Sequence, residues 1–251
     1  MSSSNNGRTA IVTGASKGLG AGIARALAAS GAAVVVNYRE DAKGAERVVA
    51  DIAAEGGQAL AVRADVAASA DVRRLFASAR EAYGRPVDVL VNNAGVAAFG
   101  PLAAVTEEEF HRELNTNLLG TVLTTQALAA QDDLDGAAVV NVSTAGTFTL
   151  PPYGALYIAS KAAVNAFTVT TAKELGPRGI RVNAIAPGPT DTEGARALGF
   201  TGSDQETAAI AATPLGRTGL PGDYGPLVAF LASDDARWIT GDVILVSGGM
   251  R

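Results

Sequence analysis

Tyr157 and Lys161 stand four residues apart in the run Tyr157-Ile158-Ala159-Ser160-Lys161. On a helix that spacing puts the phenol and the ammonium on one face, side by side. A free phenol titrates near ~10, too high for efficient proton transfer at neutral pH. A neighbouring ammonium stabilises the phenolate and lowers that value, so the pair could give a proton to a substrate oxygen or take one from it. Of the five tyrosines, Tyr38, Tyr83, Tyr153, Tyr157 and Tyr224, only Tyr157 has a lysine at this distance. Tyrosine and lysine also share many ordinary helix faces, so the pair needs a second motif beside it.

That motif is Thr13-Gly14-Ala15-Ser16-Lys17-Gly18-Leu19-Gly20. Its glycines allow a sharp turn after a strand and bring backbone N–H groups to the start of a helix, where they can hold a pyrophosphate. Gly14, Ser16, Lys17, Gly18, Leu19 and Gly20 are therefore candidate dinucleotide contacts. The same residues also spell Gly-x-Ser-x-Gly, which in a hydrolase would make Ser16 a nucleophile. A hydrolase needs a histidine late in the chain, and the sequence has only His111. On its helix Phe110, Leu114 and Leu118 mark the expected buried stripe, so His111 reads as a solvated surface residue. The hydrolase reading fails.

The end of the second strand decides which dinucleotide. An Asp or Glu there would bind a ribose 2′-hydroxyl and repel a 2′-phosphate. The chain has Asn37-Tyr38-Arg39 instead, and Lys17 in the glycine turn. Lys17 and Arg39 could bracket a phosphate dianion, with Asn37 nearby, which points to NADP(H) rather than NAD.

The elements that must position these groups follow from the apolar periodicity. Strands are expected at Thr9–Thr13, Ala33–Asn37, Ala59–Arg63, Val87–Asn92, Ala138–Ser143, Arg181–Ile185 and Val243–Val246. Several are apolar throughout, as strands covered on both faces are. Helical patterns run through Leu19–Ser30, Lys43–Glu55, Ser69–Tyr83, Glu107–Ala130 and Ala155–Leu175, the last ended by Gly176-Pro177. The alternation predicts one α/β domain over residues 1–251, a Rossmann-like doubly wound parallel sheet of about seven strands with helices on both faces. Pro189 to Thr213 breaks the pattern as an irregular insertion, a candidate substrate lid whose only basic residue is Arg196.

Composition removes other chemistries. With 48% apolar and 18% charged residues the chain can bury a core. It has no cysteine and a single histidine, so thiol nucleophiles, disulfides and His- or Cys-built metal sites are not expected. A net charge of −5 without a basic cluster argues against a nucleic-acid partner. Met1 to Asn6 is polar and unlike a secretion signal, and no apolar run is long enough for a membrane span, so a cytoplasmic location is expected.

From Thr9 to Gly249 the chain resembles the short-chain dehydrogenase/reductase family, most closely its 3-oxoacyl-(acyl carrier protein) reductase type. The resemblance rests on the glycine turn, Asp65-Val66, Asn92-Asn93-Ala94-Gly95, Asn117, Tyr157 to Lys161, Pro187-Gly188, and Gly241 to Gly249. It implies adenine contacts from Asp65 and Val66, and ribose contacts from Asn93, Ala94 and Gly95. It also implies that Pro187, Gly188, Thr190 and Thr192 flank the nicotinamide and phosphates. Asn117 would hold a water that feeds protons toward Lys161; as a bare residue it equally suits a core hydrogen-bonding role. The family places a serine thirteen residues before the tyrosine. Here that position is Thr144, with Ser143 beside it. Neighbours on a strand face opposite ways, so only one can serve, and Thr144 is the favoured one. The implied reaction is reduction of a small-molecule ketone by NADPH with Tyr157 as proton donor, in a homotetramer built on Glu107–Ala130 and Ala155–Leu175. An NAD-dependent dehydrogenase of a sugar or secondary alcohol and a non-catalytic nucleotide sensor are the other readings.

Overall fold

The computed structural model describes residues 4–251; Met1 to Ser3 of the polar N-terminal run lie outside the described residues. Seven strands form one sheet in the order β3-β2-β1-β4-β5-β6-β7, every pairing parallel. They are β1 (Thr9–Val12), β2 (Ala33–Tyr38), β3 (Gln58–Arg63), β4 (Val89–Asn92), β5 (Ala137–Val142), β6 (Ile180–Pro187) and β7 (Val243–Val246). All seven expected strands are present, and the strand order reverses between β1 and β4.

The apolar strands are explained by what lies on each face. Ala10, Val12, Val34, Val36, Val89, Val91, Val140 and Val142 turn into one core. The intervening Ile11, Val35, Leu90 and Val139 turn into the other. A sheet buried on both sides leaves no position for a polar alternation. The first core is closed by α1 (Gly18–Ala29) and α2 (Ala42–Ala54), the second in part by α3 (Ser69–Tyr83).

The expected helix over Glu107–Ala130 is not continuous. It consists of α4 (Glu107–Leu114), a π turn (Asn115–Leu119) and α5 (Gly120–Ala129). Nor do Phe110, Leu114 and Leu118 form its buried stripe: Phe110 is 48% exposed, and the buried positions are Glu113, Asn117 and Gly120. His111 is solvent-exposed as expected, with Glu107 one turn away. After the short α6 (Gly146–Thr149) comes α7 (Ala155–Leu175), whose buried face includes Lys161, Val164, Thr168 and Ala172.

The Pro189–Thr213 insertion is not irregular. It holds α8 (Glu193–Ala197) and α9 (Asp204–Ala212), capped by the hydroxyls of Thr192 and Ser203. The next helix, α10 (Pro221–Ala232), has no counterpart in the sequence reading, since Gly222, Gly225 and Pro226 obscure its period. Two glycines let α1 and α10 touch: a Cβ on Gly225 would lie 2.6 Å from that of Ala26, and one on Gly22 2.7 Å from the Pro221 carbonyl. Beyond α10 the chain turns back through Trp238, 97% exposed, into the edge strand β7.

Candidate active site

The carboxyl ends of β1, β4, β5 and β6 bring the candidate residues to one side of the sheet. At β1 the turn is set by two left-handed glycines, Gly14 at φ 61° and Gly18 at φ 57°. The turn fits a group that needs close backbone approach. A Cβ on Gly14 would lie 2.9 Å from the Ala94 backbone, and one on Gly20 2.5 Å from Asn93 Nδ2. Asn93 Nδ2 donates to the carbonyls of Thr13 and Gly14, and Thr13 Oγ1 accepts from the N–H groups of Asn93 and Ala94. The β4 end is thereby tied to the glycine turn. Lys17, just before α1, is exposed, and Ser16 and Leu19 are half-buried beside it.

At β5 and α7, Lys161 is buried and donates from Nζ to the carbonyl of Val142 at 2.7 Å. Tyr157 lies one turn earlier, half-buried, and Thr144 is the side-chain hydroxyl that acts on its phenol. Ser143 points elsewhere: it is buried, and its hydroxyl donates to the Lys161 carbonyl at 3.4 Å. The structure therefore places Thr144, not Ser143, beside the phenol. Burial lowers the Lys161 ammonium to about 8, opposed by the negative charge of Glu113. The expected depression of the phenol by Lys161 is not what this arrangement gives. Burial pushes Tyr157 up, the Thr144 hydroxyl draws it back, and Glu113 raises it further.

Asn117 sits in the π turn, fully buried. Its Oδ1 accepts from Val96 N–H, and its Nδ2 donates to Val96 O and to Ser160 Oγ. Gly95 lies between it and Lys161, since a Cβ there would be 3.3 Å from both Asn117 Oδ1 and Lys161 Nζ. Deeper in the sheet a buried ladder runs from Thr124 through Asn92 and Asn141 to Thr168, joining α5, β4, β5 and α7.

The end of β2 differs from the expectation. Asn37 is buried; its Oδ1 accepts from Gly14 N–H, and its Nδ2 donates to carbonyls of the β3 side, including Ala64. It is buried in bracing the glycine turn, with its amide nitrogen spent on neighbouring carbonyls. Arg39 is exposed but paired with Glu40 through two nitrogens. Arg63, which the sequence reading did not consider, pairs in register with Tyr38 and donates to the Arg39 carbonyl. At the end of β3 the Asp65 carboxylate accepts from Ala67 N–H, while Val66 is buried and meets α5 at Gly120.

Pro187 ends β6, and Gly188 is pressed against Ser247 so closely that a Cβ would lie 2.8 Å from its Cα. Thr190 shares a 2.6 Å hydrogen bond with Tyr224, and Thr192 caps α8. Glu193 Oε2 accepts from Gly18 N–H at 3.1 Å, so a carboxylate of the 189–213 segment rests on the glycine turn. Arg196 is held by Asp191 through two nitrogens. On the opposite flank, the Phe99 ring stands edge-on to Tyr157 with centroids 5.7 Å apart, and the exposed Phe99 and Tyr153 line one apolar rim. Sequence reading also missed Phe99 and Glu113; the latter's signal is its position four residues before Asn117.

A phenol–ammonium pair at the end of β5 facing a glycine turn at the end of β1 defines a class, and comparison with known proteins agrees. Residues 14–251 match the family model described as enoyl-(acyl carrier protein) reductase, and the chain belongs to the short-chain dehydrogenase/reductase family of oxidoreductases. Within it, the chain is 50% identical over 245 residues to an uncharacterized oxidoreductase of Methylorubrum extorquens, covering 98% of each. It is 41% identical to a hydroxynaphthalene reductase-like protein of Metarhizium majus, covering 97% of this chain and 94% of that one. A crystal structure of a short-chain dehydrogenase from Burkholderia cenocepacia in complex with NADP superposes with a TM-score of 0.90 at 37% identity, covering 98% of each chain.

Proposed function

We propose that this chain is an NADPH-dependent reductase of ketone carbonyls, 3-oxoacyl-type or related, in which Tyr157 delivers the proton. The observation that carries the reading is the Tyr157 phenol one turn before buried Lys161 on α7, with the ammonium fixed at 2.7 Å to the Val142 carbonyl at the end of β5, two residues before Thr144. The nicotinamide supplies hydride when bound; the chain's residues bind, orient and move the proton. A substrate oxygen set between Tyr157 and Thr144 receives hydrogen bonds from both where its negative charge grows. Tyr157 gives up its proton to that oxygen, and Lys161 and Asn117 line the buried route by which it is replaced.

The backbone of Gly14, Ser16, Lys17, Gly18, Leu19 and Gly20 at the start of α1 suits a pyrophosphate. Asp65, Val66, Asn93, Ala94 and Gly95 line the adenosine end, and Pro187, Gly188, Thr190 and Thr192 the nicotinamide end. Lys17 and Arg39, with Arg63 beside them, favour a 2′-phosphate, and the relative crystallised with NADP supports that choice. The pairing of Arg39 with Glu40 keeps one rival in view, NAD-dependent oxidation of a secondary alcohol. Residues 189–213 serve as the substrate lid of a single domain, and the apolar rim around Phe99 and Tyr153 suits an apolar ketone. The exposed Phe110, Leu119 and Val169 on the outer helices support a homotetramer. No helix among the described residues is long and apolar enough to cross a membrane, consistent with a cytoplasmic enzyme.

A panel of β-ketoesters, acyl thioesters and aromatic ketones with NADPH and with NADH, read by loss of nicotinamide absorbance, tests the reading. Turnover of a ketone with NADPH in preference to NADH is the expected result; no turnover with any of them, or preference for NADH, overturns it.

A further inference from the structure

Among the described residues only two Asp, Glu, Lys or Arg side chains are buried, and they carry opposite charge: Glu113 and Lys161. A buried charge is costly unless something compensates it. Lys161 has one hydrogen-bond partner, the Val142 carbonyl. Glu113 also has one: Oε1 accepts from Ala98 N–H at 2.5 Å, while Oε2 is buried with none. The two side chains form no direct ion pair, yet they share one neighbourhood. Glu113 lies four residues before Asn117 on the buried face of the same helix, and Asn117 Oδ1 and Lys161 Nζ flank Gly95. The loop from Gly95 to Phe99 therefore runs between the acid and the base, and its end sets the Phe99 ring against Tyr157.

We propose that Glu113 is a positioning residue for the Tyr157–Lys161 pair: its enclosed carboxylate is the counter-charge to the Lys161 ammonium, and its hydrogen bond to Ala98 fixes the loop that seats Phe99 on the phenol. This inference rests on the functional reading above. The charged and titratable groups around Glu113 are Arg112 and Glu109 on its own helix, and Lys161 and Tyr157 on α7. Burial pushes the Glu113 carboxyl up, while the Ala98 N–H, Arg112 and Lys161 hold it down. In turn its charge raises both Lys161 and Tyr157. An anion at this place makes both groups keep their protons to higher pH, which is the state a proton donor needs.

Glu113→Gln separates charge from contact, because the amide oxygen can still accept from Ala98 N–H. Phenolate absorbance is titrated in the cofactor-free protein, each form measured against its Tyr157→Phe counterpart, and the pH profile of kcat/KM is recorded alongside. The expected result is that the phenolate midpoint and the alkaline limb both move down by about half a pH unit or more. Glu113→Asp, which keeps the charge, is expected to stay near the wild-type midpoint. Unchanged midpoints in folded Glu113→Gln overturn the proposal. Should that variant fail to fold, carbon-13 titration of the buried glutamate carboxyl in wild-type protein decides: ionised at neutral pH supports the proposal, protonated overturns it. The phenolate titration uses neither cofactor nor substrate. A failure of the ketone panel and a failure of the Glu113 inference are thus told apart.

Discussion

The Lys161 ammonium donates to the carbonyl of Val142, 2.7 Å away, and Val142 is the last residue of β5. The strand that carries Ser143 and Thr144 just beyond its end therefore also anchors the base of the Tyr157–Lys161 pair. The ammonium is buried and lowered to about 8. Reduction needs it charged, so kcat/KM for ketone reduction is expected to be level below that value and to fall as pH rises through it. For stability the sign is opposite. A depressed lysine contributes stability above its ordinary value near ~10.5, and that contribution is lost as pH falls through about 8. Lys161→Met is thus expected to keep or raise the Tm at neutral pH while abolishing turnover, checked by thermal melts beside rate assays.

Thr144 and Ser143 are adjacent but face different partners, the Tyr157 phenol and the Lys161 carbonyl. Thr144→Ala is expected to cost about 100-fold in kcat/KM, the scale for removing one donor to a developing oxyanion. Thr144→Ser should recover most of it. Ser143→Ala should change the rate by less than about 5-fold, since it removes only one long hydrogen bond. Equal losses at both positions would refute the assignment.

Gly20 has no room for a side chain, with Asn93 Nδ2 and the Gly14 carbonyl 2.5 and 2.6 Å from where a Cβ would sit. Gly20→Ala must push the β4 end away from the glycine turn. The expected outcome is a stability loss of about 1–3 kcal/mol by denaturant melt, with loss of NADPH binding by fluorescence titration.

Asn37 and Arg39, two residues apart, are expected to behave oppositely. Asn37→Ala removes the brace between Gly14 and Ala64 and should cost about 1–3 kcal/mol in stability. Arg39→Ala should leave the melt unchanged and weaken NADPH about 10-fold, with NADH binding unaffected. An Arg39→Ala enzyme with wild-type NADPH affinity would contradict the phosphate reading.

The sheet was legible because strands buried on both faces carry unbroken apolar runs. Residues such as Val34, Val35 and Val36 announce a strand whichever way each side chain turns. The glycine turn and Tyr157–Lys161 were legible because their chemistry is local, a matter of spacing along one turn. What failed depended on tertiary partners. Asn37 looked like a ligand contact because nothing in the sequence shows Gly14 and Ala64 closing over it. Phe110 was placed inside because apolar periodicity stands in for burial, yet the π turn and the acid at Glu113 put polar groups on the inner face of that helix. Helix α10 was lost because the glycines and proline that shape its contact with α1 also erase its period.

Trp238 gives the protein its own optical label. It is the only tryptophan of the chain, and at 97% exposure on the turn before edge strand β7 its indole is bathed in water. Emission from a lone subunit should then be that of a hydrated indole. Any surface that closes over this turn would shift the colour toward the blue and slow access by soluble quenchers. Self-association at the β7 edge can therefore be followed by dilution alone, in unmodified protein.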